Sequence, residues 1–247
     1  MQPARRLLSI VVPVYNEGAS IGRLLERIVE HVHVPFELLV VYDFDDDNTL
    51  PALRDNKGPK IDLRLVRNRQ RGALRAIETG LLESRGVASV VMMADLSDDL
   101  RIVDEMFRLV EQEGYALVCG SRYMKGGRQI GGPFVKGQLS RAVGKSLHFL
   151  TAIPTHDITN SFKMYSREVI ERFPIESDGG FELGMELTTK TYLAGMRIAE
   201  IPSTWTDRTD GVSRFKLVKW APKYLRWYFH LLLGTAKKTT ALRGALG

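Results

Sequence analysis

The sequence predicts an α/β protein with a mainly parallel central sheet. Three observations predict it. Over the first 120 residues, short apolar runs alternate with stretches of helical spacing, the strand–helix order that builds such a layer. Several of the runs hold four or more consecutive apolar residues, as in Ile10 to Val14, Leu38 to Val41 and Val90 to Ala94, as buried strands do. Three of them open into loops rich in Asp, Asn or Glu, after Val14, Tyr42 and Ala94. In such sheets ligands bind at the carboxyl ends of strands, at a topological switch point, so these loops are the first candidates for a site.

Each element has its own signal. Leu8 to Val14 is an apolar run that Asn16-Glu17-Gly18 breaks, and it reads as the first strand. Ala19 to His31 places Ile21, Leu24, Leu25, Ile28 and Val29 at helical spacing. Phe36 to Tyr42 is a second buried strand, followed by an acidic loop from Asp43 to Asn48 and a short helix from Leu50 to Arg54. Ile61 to Val66 alternates as a third strand, Ala73 to Leu82 is helical, and Ser89 to Ala94 is a fourth strand. Asp99 to Glu113 is a helix with Ile102, Val103, Met106, Leu109 and Val110 on its apolar face, and Ala116 to Gly120 is a fifth strand. The second half is less regular. It holds a Gly-rich basic loop (Tyr123 to Gly132), a helix (Val135 to Leu150), a strand (Phe162 to Tyr165), a helix (Phe181 to Leu193) and a strand (Arg197 to Ile201). No repeat, low-complexity segment or linker divides the body. Residues 1–212 are expected to form one domain, and residues 213–247 a basic amphipathic helix and tail.

Composition narrows the function classes. The chain has 247 residues, 44% hydrophobic and 26% charged, which is neither disordered, collagen-like nor disulfide-stapled. Its single cysteine, Cys119, excludes an internal disulfide and a multi-cysteine metal cluster and suits a reducing cytoplasm. No run reaches the roughly 18 apolar residues of a transmembrane helix, and no signal-peptide core precedes Pro13. The net charge of +6 is unevenly placed: Gly211 to Gly247 hold eight basic residues and no acidic one, while the first 210 residues hold 27 basic and 29 acidic. A near-neutral body carries a basic tail. That argues against a body-wide nucleic-acid surface and for phosphates or a membrane near the tail.

Generic signatures are missing. No G-x-G-x-x-G follows a strand, and neither G-x-x-x-x-G-K-[ST] nor H-E-x-x-H occurs. Asp43 to Asn48 resembles the start of a calcium loop, but Asn48 stands where Gly is required and Arg54 where a bidentate Glu is. His31 and His33 lack a third metal ligand, and Cys119 reads as a small core residue.

The residues that carry chemistry form an ordered set of blocks. These are V-V-P-V-Y-N-E (Val11 to Glu17), V-V-Y-D-F-D-D-D-N-T (Val40 to Thr49) and M-M-A-D-L-S-D-D (Met92 to Asp99). Later come G-S-R-Y (Gly120 to Tyr123), D-I-T-N-S-F-K (Asp157 to Lys163), G-F-E-L-G-M-E (Gly180 to Glu186) and R-T-D-G-V-S-R (Arg208 to Arg214). In this order and spacing, over roughly residues 8 to 215, they resemble the inverting family 2 glycosyltransferases of the GT-A fold. The nearer match is the branch that transfers mannose or glucose to dolichyl or polyprenyl phosphate.

The resemblance implies a single Rossmann-like GT-A domain. It also implies one in-line displacement, with inversion, at the anomeric carbon of a nucleoside-diphosphate hexose. Pro13, Tyr15 and Glu17 fall where the family holds the nucleoside, with the Tyr15 ring against the base. An acid accepting from ribose hydroxyls is the device of dinucleotide folds. Asp43 matches the acidic residue after the second strand, although Tyr42 and Phe44 replace the usual Asp and Gly. Asp46 reads as part of a solvated turn. Gly72 to Gly80 resembles the small-residue helix beneath the nucleotide, where packing explains the small residues as well as binding does.

The family's D-x-D and following Gln orient a divalent cation; here those positions are Met93, Asp95 and Ser97. A thioether is a poor ligand for a hard cation. The expected Mg²⁺ or Mn²⁺ site is therefore reduced to Asp95, with Asp98 or Asp99 and the donor phosphates, since such ions keep waters and need few protein ligands. Arg122, Lys136, Arg208 and Arg214 match positions that converge on phosphates, and Lys136 and Ser140 lie one helical turn apart. The implied division of labour places Arg208 and Arg214 on the leaving diphosphate and Arg122, Lys136 and Ser140 on the acceptor phosphate. Asp157 and Glu186 match acidic positions that orient sugar hydroxyls or the basic clamp, with Asp157 a base if the acceptor is a hydroxyl. GDP-mannose is the first donor expected, ahead of UDP-sugars; the acceptor is a lipid phosphate, and no nucleic acid is involved.

In the tail, Lys216, Lys219, Lys223, Arg226 and His230 fall within an arc of about 80°, beside Leu217, Trp220, Tyr224, Trp227, Tyr228, Leu231 and Leu232. That suits an interfacial helix at an anionic membrane and equally a helix docked on the domain; the two are compatible. Lys237 to Gly247 is expected to fray. The expected location is cytoplasmic, peripheral at the membrane face. Two other functions fit the residues. One is a family 2 enzyme acting on a soluble sugar, polysaccharide or protein hydroxyl. The other is a catalytically silent nucleotide-sugar-binding or membrane-docking module, which Met93 and Ser97 suggest.

Overall fold

The computed structural model describes residues 7–18, 20–55, 61–207 and 217–245. In chain order the first half runs β1 (Leu8–Pro13), α1 (Ile21–His31), β2 (Phe36–Tyr42), α2 (Thr49–Asp55), β3 (Leu63–Arg67), α3 (Ala73–Glu83), β4 (Ala88–Val91), α4 (Val103–Glu111) and β5 (Leu117–Ser121). The second half runs β6 (Arg128–Ile130), α5 (Phe134–Thr151), β7 (Lys163–Ser166), α6 (Arg167–Arg172), α7 (Leu183–Leu193), β8 (Ile198–Pro202), β9 (Thr204–Thr206) and α8 (Leu217–Ala245). A seven-stranded sheet has the order β3-β2-β1-β4-β7-β5-β8, and β6 pairs with β9 in a small second sheet. Only β7 runs against its neighbours, antiparallel to both β4 and β5.

The uninterrupted apolar runs have a direct cause. In β1, Ile10 and Val12 pack with α1 and α4 on one face, while Val11 packs with α3 on the other. Successive side chains alternate between faces, and a parallel sheet covered by helices on both sides needs apolar residues on each. Gly80 of α3 sits against Val11 and Val41, where any side chain would collide with both. The small residues of this helix serve packing.

The order of strand addition reverses at β1: β2 and β3 lie on one side of it and β4 on the other. The crevice at the carboxyl ends of β1 and β4 is therefore the switch point. The loops after Val14 and after Val91 flank it.

Departures from the expected elements have local reasons. β4 stops at Val91, since the chain turns out of the sheet toward Leu96, whose backbone is left-handed at φ 64°. The helix expected from Asp99 divides into a 3-10 turn, Leu100–Ile102, and α4, because the Asp99 side chain accepts from Arg101 N. α6, β6 and β9 are new, at six, three and three residues, too short to show a period. α8 continues to Ala245 without fraying at Lys237, and Pro222 lies within it. The expected boundary at 212/213 lies outside the described residues. α8 packs on α5 and α7, burying Trp227 and Leu231 with Leu147, Ile153, Ile158 and Met185. Trp227 Nε1 donates to Ser177 Oγ at 3.0 Å, so the helix is docked on the body.

Candidate active site

The first two loops are zipped together. Asn16 N donates to both carboxylate oxygens of Asp47 at 3.1 Å, Glu17 N donates to Thr49 Oγ1 at 2.9 Å, and Gly18 N donates to Asn48 Oδ1 at 2.8 Å. Asp47 is fully buried and also accepts from Thr49 N, whereas Asp46 is exposed as expected. Pro13 closes β1 in register with Val41. Tyr15 is 45% exposed beyond it, and its ring meets Phe44 edge-on, centroids 5.3 Å apart. Glu17 accepts from Ser20 Oγ at 3.0 Å. An exposed ring on a rigid loop, beside a carboxylate, suits a nucleoside base and ribose. Asp43 is more enclosed: it accepts from Asn68 Nδ2 at 2.7 Å and from Gly72 N at 2.8 Å. It anchors the loop before α3 to the carboxyl end of β2.

The third loop carries two carboxylates, Asp95 and Asp98. Asp95 Oδ1 accepts from Ser97 Oγ at 2.6 Å and Ser97 N at 3.2 Å. Asp98 Oδ2 accepts from Met93 N at 3.0 Å. Burial pushes the Asp98 carboxyl up to about 7, and the negative charge of Asp95 adds to the rise; the Met93 N–H, Arg122 and Arg27 oppose it. Arg27 braces the loop from α1, donating to Leu96 O at 2.8 Å. Thr206 N of β9 donates to Ser97 O at 3.1 Å, so the small second sheet lies beside this loop. Among the described residues no group of three or more His, Cys, Asp or Glu is placed to hold a metal ion unaided.

Beyond β5 stands a basic residue held by a buried acid. Arg122 donates to Asp157 Oδ2 through Nε at 2.7 Å and to Oδ1 through Nη2 at 2.8 Å. Its backbone N also donates to Asp157 Oδ2 at 3.0 Å. Arg122 Nη2 reaches Ser140 Oγ at 3.1 Å, and Ser140 Oγ lies 2.5 Å from Thr159 Oγ1. Burial works against the guanidinium charge, but Asp157 outweighs it and holds the group above its usual range. Such bidentate pairs fix orientation as well as charge. Gly144 lets α5 approach this loop, because a side chain there would strike His156 O. Lys136 lies one turn before Ser140 on α5 and is half-buried. Lys163 is fully buried behind the loop, its Nζ donating to Ile158 O at 3.1 Å and to Asn160 O.

A family model described as Glycosyl transferase family 2 matches residues 9–173. The chain belongs to glycosyl transferase family 2. Among curated relatives, the polyprenol monophosphomannose synthase of Mycolicibacterium smegmatis is 30% identical over 241 residues, covering 89% of this chain and 88% of that protein. The dolichol-phosphate mannosyltransferase of Pyrococcus furiosus is 27% identical over 231 residues, covering 91% of this chain and 63% of that longer protein. Among solved structures, glucosyl-3-phosphoglycerate synthase from Mycobacterium tuberculosis, in complex with Mn²⁺, UDP and glucosyl-3-phosphoglycerate, has a TM-score of 0.65 at 19% identity, covering 93% of this chain and 80% of that one. That likeness supports the GT-A architecture.

Within this family 2 glycosyltransferase, the structure gives the surroundings of two further expected site residues. Glu186 is fully buried, and its carboxylate accepts from Lys190 Nζ at 2.7 Å, Glu176 N at 2.7 Å and Ser177 N at 2.8 Å. It anchors the segment that docks α8. Asp157 is fully buried with both oxygens engaged by Arg122. Arg208 and Arg214 lie outside the described residues. The structure also adds residues. Glu182, in the same block as Glu186, is buried and accepts from Gly179 N at 2.6 Å and Gly180 N at 2.7 Å. Burial pushes the Tyr224 hydroxyl on α8 up, with Glu182 adding to the rise and Arg122 opposing it. Sequence spacing offered no signal for Tyr224, which is brought there only by tertiary docking.

Proposed function

We propose that this chain is an inverting hexosyltransferase that moves a hexose, mannose foremost, from a nucleoside diphosphate to a polyprenyl phosphate. The observation that carries the reading is the Arg122–Asp157–Ser140–Thr159 cluster. It offers a fixed guanidinium and two hydroxyls at the carboxyl end of the sheet, with its carboxylate sealed. An acceptor phosphate is already ionised at neutral pH and needs no general base. A hydroxyl acceptor needs one. The names of the two curated mannosyltransferase relatives point the same way.

Catalysis then rests on position and charge. Tyr15 and Glu17 hold the nucleoside, with Pro13 and Asp43 shaping the loops. Arg122, with Ser140 and Lys136, orients the acceptor phosphate oxygen for in-line attack. Arg208 and Arg214 are assigned to the leaving diphosphate. The Asp95 and Asp98 carboxylates would supply hard oxygens to Mg²⁺ or Mn²⁺, with donor phosphates and water completing its shell. An ion held there would supply charge neutralisation to the diphosphate.

Among the described residues no helix is long and apolar enough to cross a membrane. The proposed attachment is peripheral, at the cytoplasmic face, through the basic helix α8. A calorimetric donor screen tests the site: GDP-mannose is expected to bind more tightly with Mn²⁺ than without, and Asp95→Ala to remove that gain. Tighter binding of UDP-glucose would reassign the donor. Equal binding with and without Mn²⁺ would remove the metal from the reading.

A further inference from the structure

β8 carries an acid where its pattern calls for an apolar residue. Ala199 and Ile201 pack on one face of the sheet and Ile198 on the other, so Glu200 shares the face of Ile198. Its side chain is 7% exposed. A carboxylate so enclosed is tolerated only when its oxygens are bonded, and its bonds run to one segment, between α5 and β7. Oε1 accepts from His156 N at 2.5 Å and from Thr155 Oγ1 at 3.0 Å, and Oε2 lies 2.7 Å from His156 Nδ1. A carboxylate only accepts, so the His156 ring holds a proton on Nδ1.

The next residue is Asp157. Thr155 Oγ1, which donates to Glu200, accepts from Asp157 N at 3.1 Å, and Asp157 grips Arg122. The segment is pinned at two further points. His148 of α5 stacks its ring on that of His156, with centroids 3.9 Å and planes 29° apart, and its Nδ1 donates to Ile153 O at 2.7 Å. Asn160 Nδ2 donates to Gly120 O at 2.8 Å. β5 is the common frame. Its Cys119 is in register with Glu200, and Arg122 follows its last residue, Ser121. The strand that aims Arg122 and the strand that carries Glu200 are therefore hydrogen-bonded neighbours, and the Thr155–Asp157 turn bridges them.

We infer that Glu200 and His156 are positioning residues, which act through this turn and Asp157 to fix the orientation of the Arg122 guanidinium. Their purpose rests on the reading of Arg122 as the group that receives the acceptor phosphate. A bidentate contact holds only while both carboxylate oxygens stay in place, and a misplacement of about 1 Å in such a support costs on the order of 100-fold in rate. The effect falls on the acceptor and not on the donor. The loops assigned to the donor follow β1, β2 and β4, and β7 and β5 separate β8 from β4.

The test compares the full chain with Glu200→Ala, Glu200→Gln and His156→Ala. The proton on Arg122 Nε, seen by NMR in isotope-labelled protein and assigned by its loss in Arg122→Lys, reports the bond to Asp157 whether or not an acceptor binds. In both alanine variants it is expected to exchange with water about tenfold faster or more. The kcat/KM for a polyprenyl phosphate is expected to fall about tenfold or more, with the calorimetric affinity for GDP-mannose unchanged. Glu200→Gln keeps an oxygen for Thr155 Oγ1 and His156 N and is expected to recover most of both losses. His156→Ala decides the matter if Glu200→Ala does not fold, because it removes a half-exposed ring and keeps the backbone bond to Glu200. Wild-type exchange at Arg122 in folded His156→Ala would overturn the inference. So would a fall in donor affinity as large as the fall in transfer, the mark of a fold weakened throughout. If Arg122 loosens as expected but the wild type glycosylates no polyprenyl phosphate, the positioning of Arg122 stands and the acceptor reading fails.

Discussion

Asp157 shows how one residue organises the acceptor end. Its charge is fully buried and tolerable only because Arg122 meets it with two side-chain bonds. Removing one member of such a pair leaves the other uncompensated, a cost of about 3–5 kcal/mol. Asp157→Asn is therefore expected to lower unfolding free energy by a few kcal/mol in urea titrations, and to reduce transfer by about 100-fold. Arg122→Lys, which cannot form the two-pronged contact, should lower transfer while leaving donor affinity unchanged. Glu37 offers a separate test of the body. Burial would raise its carboxyl, but bonds from Ser9, the Arg85 backbone and Arg64 prevail, and its pKa lies below the ordinary 4.5. A carboxyl lowered by folding stabilises fully above its ordinary pKa, and that contribution disappears as pH falls through the folded value. Glu37→Gln should therefore be less stable than wild type at neutral pH and lose less of its stability on acidification below 4.5. Residue placements were legible in the sequence where a motif follows a strand end, as for Asp95 after β4 and Arg122 after β5. They were not legible where two acids share a block: Glu182 and Glu186 differ only in what the fold brings to them.

At the scale of elements, the parallel strands could be read because burial on both faces writes itself as an unbroken apolar run. The reversal of β7 could not, since strand direction leaves no mark on composition. The zipper between the Asn16–Gly18 and Asp47–Thr49 segments was also hidden. Asp47 lies among four acidic residues between Asp43 and Asn48, and that string resembles a solvated turn until β1 and β2 are paired. α8 was ambiguous for a physical reason: it has one strip for the body and one for its surroundings, so either reading explained half the residues. The docked strip predicts that Trp227→Ala, which removes a 2% exposed side chain and its bond to Ser177, costs about 3–5 kcal/mol, measured by chemical denaturation. A change within 0.5 kcal/mol or so, the usual range of surface positions, would mean that α8 is not part of the folded body.

For the whole molecule, the division of charge seen in the sequence corresponds to a division of surfaces. The acid-rich loops meet at the switch point of the sheet, around Asp95 and Asp98. The acid-free helices α5 and α8 lie together on another side. Ser140 connects the two, standing on α5 and bonded to Arg122. The proposed reaction of this arrangement is hexose transfer to a lipid phosphate. Its most direct test incubates the full chain with radiolabelled GDP-mannose, Mg²⁺ and a polyprenyl phosphate, and follows label into the organic phase. Wild type should form an acid-labile mannosyl phospholipid that requires the lipid phosphate, and Asp95→Ala should form none. Label that stays in the aqueous phase with wild type, or near wild-type turnover by Asp95→Ala, would contradict the account.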